Sequence, residues 1–168
     1  MGYIYNKERN MTDKTAKPME FGLKMLAIRD YGTAELRARM ASKGFSTVEI
    51  EGTITKLEQK KLLDDYAYIA KIIEKYTAKQ PSGREFIRNY MEQKGLKKEQ
   101  FEEALEKVKE RETALLAFKM KFKPVNKTEN PSKTRQKAAN YLQTKGFDYD
   151  IIVEILNQEI KGEPDYEQ

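Results

Sequence analysis

One short motif occurs three times along the sequence at a constant spacing, and this repeat constrains the fold more than any other feature. A lysine, a glycine and a large apolar residue stand together at Lys43-Gly44-Phe45, Lys94-Gly95-Leu96 and Lys145-Gly146-Phe147. The glycines are 51 residues apart in both intervals, since 95 − 44 and 146 − 95 are equal. A fixed period of this length predicts a tandem array in which each repeat is one supersecondary unit.

Apolar residues recur with the same period on both sides of each glycine. The matched sets are Leu36, Ile87 and Ala138; Met40, Met91 and Leu142; Ile50, Phe101 and Ile152; and Ile54, Leu105 and Leu156. Within each repeat the first two positions are four residues apart, as are the last two, which is the spacing of one helix face. No segment alternates apolar and polar residues in the manner of a half-buried strand. Each repeat is therefore expected to contain two amphipathic helices joined at the glycine.

A further helix precedes this pair in each repeat. The three leading helices are predicted from about Met19 to Arg29, from Asp65 to about Tyr76, and from Glu112 to about Lys121. The sequence thus predicts an all-α protein of three tandem three-helix repeats, similar to helix-turn-helix units, which form an elongated, curved array. The repeats span residues 16–63, 64–110 and 111–161, between a polar N-terminal tail (1–15) and an acidic C-terminal tail (162–168).

Glycines and short polar residues mark the ends of these helices. The three repeat glycines stand where a helix ends in left-handed backbone, which glycine adopts without a Cβ penalty. Short polar side chains before a helix accept hydrogen bonds from its first amides, and carboxylates there complement the helix dipole. The predicted N-terminal signals are capping boxes at Ser46–Glu49 and Ser82–Glu85, single caps at Thr33, Ser132 and Asp148, and the carboxylates of Asp64 and Asp65.

The composition excludes several classes of enzyme. Histidine and cysteine are absent from all 168 residues, which removes imidazole bases, thiol nucleophiles, disulfides and zinc sites of the usual kind. No phosphate-binding glycine loop, dinucleotide fingerprint or serine elbow occurs, and the carboxylates form no convincing catalytic pair. We therefore expect no catalytic residue, no metal site and no cofactor. No apolar stretch approaches the roughly 18 residues that span a bilayer, so we expect a soluble, cytoplasmic protein.

Positive charge is concentrated in the first and third repeats. Residues 16–63 hold nine basic and six acidic side chains and residues 111–161 hold ten and six, whereas residues 64–110 are balanced at ten each. In the third repeat, seven basic residues are opposed by Glu129 alone, and they are Lys119, Lys121, Lys123, Lys127, Lys133, Arg135 and Lys137. Such a cluster favours polyphosphate partners. The solvated surface of a lysine-rich protein explains the same excess equally well.

Three tyrosines occupy apolar positions of the helical pattern, and they are Tyr66, Tyr90 and Tyr141. A tyrosine ring in a basic protein serves either as interhelical packing or as a stacking surface for nucleotide bases. The apolar helical spacing of these three favours packing.

Several of these segments, taken in order, resemble the RecX family, the small regulators of the RecA recombinase. The segment 25–37 looks like that family's leading motif, in which Leu, two variable residues, Arg and a polar turn are followed by Glu-Leu-Arg. The triplet Lys43-Gly44-Phe45 and the joint at 62–67 are similar to its next two hallmarks. The sequence departs from the family pattern at Gly32-Thr33, where a charged residue and Ser are usual, and at 80–84, where Lys-Gly-Pro is common. The resemblance covers roughly residues 19–160.

The resemblance implies a regulator without enzymatic activity. Members of the family lie in the deep helical groove of the RecA–DNA filament, bridge neighbouring protomers, and inhibit the coprotease, ATPase and strand-exchange activities. The implied partners of a monomeric protein of this kind are the RecA filament and, weakly and without sequence preference, single- and double-stranded DNA. Two other functions remain open: a sequence-specific or architectural helix-turn-helix DNA-binding protein, and a helical-repeat scaffold for protein partners only.

The candidate contact residues are basic and come from two repeats. They are Arg29, Arg37 and Arg39 in the first repeat, and Lys121, Lys123, Lys127, Lys133 and Arg135 in the third. We expect these side chains to face DNA or the acidic surface of the filament. Because phosphate contacts carry no sequence information, binding is expected to tolerate any DNA sequence and to weaken steeply with salt.

Overall fold

The fold is built from helices alone in the part of the chain that the structure describes, residues 17–122 and 130–160 of a computed structural model. The α-helices are α1 (Pro18–Ile28), α2 (Thr33–Lys43), α3 (Thr47–Gln59), α4 (Asp65–Glu74), α5 (Arg84–Gln93), α6 (Lys98–Glu106), α7 (Glu110–Lys121), α8 (Pro131–Thr144) and α9 (Tyr149–Glu159). A π-helical turn, Lys75–Lys79, continues α4. The prediction of an all-α helical-repeat protein is confirmed.

Each repeat has its own buried core, made by one leading helix and the two helices that flank the glycine. The core of α1–α3, the core of α4–α6 and the core of α7–α9 are separate clusters of apolar side chains. The residues at two of the matched positions are all 0% exposed, namely Leu36, Ile87 and Ala138, and Met40, Met91 and Leu142. The 51-residue period therefore marks core positions, where burying one large apolar side chain stabilises by about 1.5–3 kcal/mol.

The helices form two compact units, the first ending at Asp65 and the second starting at Tyr66. The first unit holds repeat 1, and the second holds repeats 2 and 3. Inside the second unit, the N–H of Gly83 donates to the carbonyl of Lys145 over 2.8 Å. A Cβ atom on Gly83 would lie 1.9 Å from the carbonyl oxygen of Gly146, so only glycine fits at this position. Repeats 2 and 3 are thus joined by direct contact between their backbones.

Several predicted helix ends are confirmed. Gly44, Gly95 and Gly146 have φ angles of 97°, 74° and 74°, in the left-handed region that favours glycine. Ser46 caps α3 in a reciprocal capping box with the residue three positions on. The side chain of Asp148 caps α9 by accepting a hydrogen bond from the N–H of Asp150 over 2.9 Å.

The predicted caps of α2 and α5 are wrong. Each of these helices follows a glycine, and neither Thr33 nor Ser82 caps a helix with its side chain. Ser82 is fully buried, and its hydroxyl donates to the Gln80 carbonyl over 2.9 Å, so it is not directed at the start of α5. Thr33 is itself the first residue of α2, one position too late to be its cap.

Carboxylates from the next leading helix bind the first amides of these two helices. Asp65, at the start of α4, accepts the N–H of Thr33 over 2.7 Å. Glu110, at the start of α7, accepts the N–H of Arg84 over 3.0 Å and the Nε–H of the same residue over 2.6 Å. The sequence predicts that Asp65 stabilises the start of α4, and in the structure its side chain accepts a hydrogen bond from the first residue of α2. A carboxylate at the start of one repeat thus caps the second helix of the repeat before it.

The predicted cap of α8 is also wrong, since Asn130 rather than Ser132 precedes the helix. The Oδ1 atom of Asn130 accepts hydrogen bonds from the N–H groups of Ser132 and Lys133. Pro131 then stands at the first helical position, where its fixed φ suits the helix and its missing N–H costs nothing. The proline moves the start of the helix one residue ahead of Ser132.

Candidate nucleic-acid interface

Helix α8 carries basic side chains and no carboxylate. Its basic residues are Lys133, Arg135 and Lys137. Each of the other eight α-helices in residues 17–122 and 130–160 contains at least one Asp or Glu. Because the buried side of α8 is formed by Thr134, Ala138 and Leu142, both lysines project into solvent. The charged side chains of α8 itself are therefore all positive, which favours an anionic partner at its outer face.

The two lysines are four residues apart on this outer face. Both are exposed, and neither ammonium group forms an ion pair with a carboxylate of the described residues. Residues four apart on a helix are neighbours in space. Lys133 and Lys137 can therefore approach adjacent anionic groups of one extended partner.

Arg135 has a different position, between α8 and α9. Its Nη1 donates to the carbonyl of Leu156 over 3.3 Å, and its Nη2 donates to the side-chain oxygen of Asn157. These acceptors lie in the last turn of α9, where the negative end of the helix dipole favours a cation. Arg135 thus holds the two helices together, yet its charge is not neutralised, since a carbonyl and an amide carry no net charge.

The remaining candidates of the third repeat lie at or beyond the end of α7. Lys121 is the last residue of that helix and is exposed. Lys123 and Lys127 fall outside the described residues, as do the two tails predicted at 1–15 and 162–168. The second unit therefore contains Lys121, Lys133 and Arg135 from the predicted set, of which Lys133 and Arg135 share helix α8.

The candidate arginines of the first repeat belong to the other unit, and two of them are already neutralised. The Arg29 guanidinium binds both oxygens of Glu35, at 2.9 and 2.8 Å, and stacks over the ring of Tyr31. Arg37 binds both oxygens of Glu51, at 2.7 and 2.9 Å. Such paired arginines contribute less to an anion-binding surface than free ones. Arg39 is exposed, with no carboxylate partner in the described part of the chain.

The pair between α2 and α3 recurs between α5 and α6 in the second repeat. Arg88 and Glu102 stand 51 residues after Arg37 and Glu51, and the two side chains meet at 2.8 Å. In both pairs the hydrogen bond between the side chains lowers the pKa of the glutamate below its ordinary value and raises that of the arginine. An ion pair thus bridges the seam between the second and third helices of repeats 1 and 2, and in repeat 2 both members of the pair line an open cavity of about 550 Å³.

The third repeat has no such pair, because Ala139 and Val153 occupy the two matched positions. An open groove of about 350 Å³ runs between α8 and α9 at this place. Its walls include Ala139, Val153, Ile152 and Leu156, with Gln136 on the α8 side. The sequence analysis missed this groove, although extending the 51-residue alignment to positions outside the core would have found it.

The ring of Tyr149 borders this groove and is 75% exposed. The predicted packing role is confirmed for Tyr90, whose ring lies 5.0 Å from that of Tyr76, and for Tyr141, whose ring lies 5.8 Å from that of Phe122. It is wrong for Tyr66, which is 67% exposed because the buried side of α4 is centred elsewhere on the helix.

The described residues contain no helix long and apolar enough to cross a membrane. The chemistry that the second unit offers is that of a cationic helix beside an apolar groove with an aromatic rim. Cations of this kind bind phosphates, and apolar and aromatic surfaces bind bases or apolar side chains.

Comparison with known proteins points to one family. Two family models match the chain: the first three-helix domain of RecX over residues 19–57, and the third three-helix domain of RecX over residues 109–156. A regulatory protein RecX of Pelodictyon phaeoclathratiforme is 30% identical over 149 residues, which is 87% of this chain and 91% of that protein. Another, of Chlorobaculum tepidum, is 28% identical over 143 residues, or 85% of this chain and 88% of that protein.

Two solved structures have a similar fold. The crystal structure of RecX from Lactobacillus salivarius superposes with a TM-score of 0.70 over 84% of this chain and 94% of that one, at 22% identity. A crystal structure of a regulatory protein RecX gives a TM-score of 0.67 over 83% of this chain and 71% of that one, also at 22% identity.

Proposed function

This chain belongs to the RecX family of regulatory proteins, and from that premise we propose that it inhibits the RecA recombinase by binding in the groove of the RecA–DNA filament. It acts as a monomer in the cytoplasm and catalyses no reaction of its own. The absence of histidine and cysteine from the whole sequence supports a role in binding rather than in catalysis. Contact with the filament includes its DNA, through phosphates and without sequence preference.

The carboxylate-free face of α8 is the observation that carries this proposal. Lys133 and Lys137 are exposed there, and no negative charge on the same helix competes with a phosphate for them. Each phosphate contact releases condensed counterions, so a few lysines give DNA affinity that depends strongly on salt. Lys121 adds to the positive potential of the same unit.

The first repeat contributes mainly through Arg39 in this proposal. Arg29 and Arg37 are each held by a glutamate in a two-point ion pair, so their charges are largely cancelled at a distance. Releasing either arginine to a phosphate would leave its glutamate close to the DNA. The exposed guanidinium of Arg39 carries no such cost.

The test is the ATPase activity of RecA on single-stranded DNA, measured while this protein is titrated in. The parent protein should inhibit, and the double variant Lys133→Glu/Lys137→Glu should need about tenfold more protein for half-inhibition. That change corresponds to about 1.4 kcal/mol. This is a small loss of binding free energy for the reversal of two charges near phosphates. Arg135 is left unchanged because its guanidinium holds α9, and reversing it would disturb the fold.

A matched control is available on α3. Lys56 in α3 and Lys60, the residue that follows the helix, are also exposed and four residues apart, but α3 contains three glutamates. The variant Lys56→Glu/Lys60→Glu changes the net charge equally and should inhibit almost as well as the parent. Equal loss in both variants would show that only net charge matters. DNA binding without any effect of the parent on RecA would favour a helix-turn-helix DNA-binding protein instead.

A further inference from the structure

We propose that the groove between α8 and α9 binds an unstacked base of single-stranded DNA, with Tyr149 as the stacking surface, so that the third repeat prefers single strands to duplex. This inference rests on the proposed function in one respect, that DNA is a ligand of α8. It adds the form of DNA that is recognised and the residue that recognises it. It also assigns to the third repeat a role that its two neighbours cannot have.

The groove between α8 and α9 lies at the place where repeats 1 and 2 carry an ion pair and repeat 3 does not. In repeats 1 and 2 the Arg37–Glu51 and Arg88–Glu102 pairs bridge the seam between the second and third helices and make this surface charged. Repeat 3 has Ala139 and Val153 there, which are short and uncharged. The partly exposed side chains of Ala139 and Val153 line the groove at this place, and the buried side chains of Ile152 and Leu156 lie beneath them. An apolar floor of this size suits the face of a base.

Tyr149 stands at the edge of the same seam. It is the first residue of α9, one turn before Val153, and three-quarters of its surface is exposed. The matched residues are Thr47 and Lys98, which have no ring. The aromatic rings of Tyr90 and Tyr141 are engaged with other rings, so they offer no free face of this kind. An exposed tyrosine beside an apolar floor can hold a base by stacking on one side and by apolar contact on the other.

The charge around the groove selects an anionic ligand. The guanidinium of Arg135 lines the groove, and its acceptors are a carbonyl and an amide, so its positive charge remains. Lys133 and Lys137 follow on the adjacent face of α8, which has no carboxylate. The nearby carboxylate of Asp148 is occupied as the cap of α9. A single strand lying along α8 can place its phosphates at these cations while one base turns into the groove.

Preference for single strands follows from the geometry of the ligand. In a duplex the face of each base is covered by its neighbours, and exposing it requires the loss of stacking and pairing. In a single strand the base is free to turn out at little cost. Single strands and duplexes can both make phosphate contacts with α8, whereas only a single strand readily places a base in the groove.

The experiment measures the binding of the 168-residue protein to fluorescent oligothymidylate, to an abasic strand of equal length and to a duplex. The parent should bind oligothymidylate more tightly than either of the other two. Tyr149→Ala should weaken binding to oligothymidylate by about fivefold or more and leave binding to the abasic strand unchanged. Tyr149→Phe should behave as the parent. Tyr66→Ala removes a similarly exposed tyrosine outside the groove and should have no effect.

A second variant tests the groove without touching the tyrosine. Ala139→Arg/Val153→Glu introduces the ion pair that repeats 1 and 2 already carry and leaves the net charge unchanged. It should fold normally, by circular dichroism, and should bind all three ligands equally. The proposal is overturned if the parent shows no preference for oligothymidylate over the abasic strand, or if both variants keep that preference.

Two outcomes separate this inference from the proposed function. A Tyr149-dependent preference for single strands in a protein that leaves RecA ATPase unchanged would support the groove and contradict the inhibitor. Unchanged binding to oligothymidylate in Tyr149→Ala, together with weaker inhibition of RecA, would overturn the base-binding role and indicate that the groove holds a protein segment.

Discussion

The first two repeats and the third differ most at the seam between their second and third helices, although their cores are matched residue by residue. Arg37 with Glu51 and Arg88 with Glu102 bridge the seam with charged side chains in repeats 1 and 2. In repeat 3 the matched residues are Ala139 and Val153, so no ion pair bridges the groove at this place. The interior must be filled in every repeat, so it keeps the period, whereas a solvent-facing seam contributes little to stability and is free to change. Differences between repeats at such positions therefore indicate where their functions differ.

If the three cores are equivalent, substitution of a matched core residue should destabilise each repeat to a similar extent. Met40→Ala, Met91→Ala and Leu142→Ala each remove a side chain that is 0% exposed. We expect each to destabilise the unit that contains it by about 3 kcal/mol, from lost burial and from the cavity left behind. The measurement is urea unfolding followed by circular dichroism. A much smaller loss for Leu142→Ala would mean that the third core is looser, and the open seam would then be a symptom of poor packing.

The two units can also be compared by the stability that each loses when the carboxylate that caps the preceding repeat is removed. Glu110 is only 7% exposed and binds both the backbone and the side chain of Arg84. Glu110→Ala should therefore cost about 2 kcal/mol, because a helix cap is lost and a half-buried guanidinium is left without its partner.

The matching substitution Asp65→Ala should cost about 1 kcal/mol, the usual value for a lost helix cap, since Asp65 accepts the N–H of Thr33 at the start of α2. Denaturation midpoints of the two variants measure the difference. Equal losses would show that the ion pair with Arg84 adds nothing to the cap.

The sequence predicted the interior better than the surface, for a physical reason. The helix-ending glycines and the four matched apolar positions are dictated by local backbone geometry and by period, and the structure confirms them. The caps of α2 and α5 were mispredicted because the acceptor comes from a carboxylate about 30 residues away, which no local motif reveals.

For the candidate contact residues too, the sequence predicts one part of their role and only the fold reveals the other. Charge counting selected Lys133 and Arg135 alike, but only the fold distinguishes an outward lysine from an arginine tied to the end of α9. Tyr149 was missed because one exposed tyrosine has no signature in the sequence until its matched residues in other repeats are known to lie at a seam.

The smallest effect that we predict is the pH dependence of the two ion pairs. In the folded protein, hydrogen bonds from Arg37 and Arg88 lower the pKa of Glu51 and of Glu102 below the ordinary value of about 4.3. A carboxyl with a lowered pKa in the folded state contributes stability above its unfolded pKa, and this contribution is lost as the pH falls through the folded value. The parent should therefore lose more thermal stability between pH 6 and pH 3 than Glu51→Gln/Glu102→Gln, which keeps the shape of both side chains but cannot titrate.

The variant Ala139→Arg/Val153→Glu should lose slightly more thermal stability over this pH range than the parent, since it carries a third pair. Unfolding midpoints at several pH values, in low salt to limit screening, measure the three curves. If the three curves superpose, the charges of the ion pairs contribute nothing to stability. The groove of the third repeat would then differ from the other seams in side-chain volume rather than in charge.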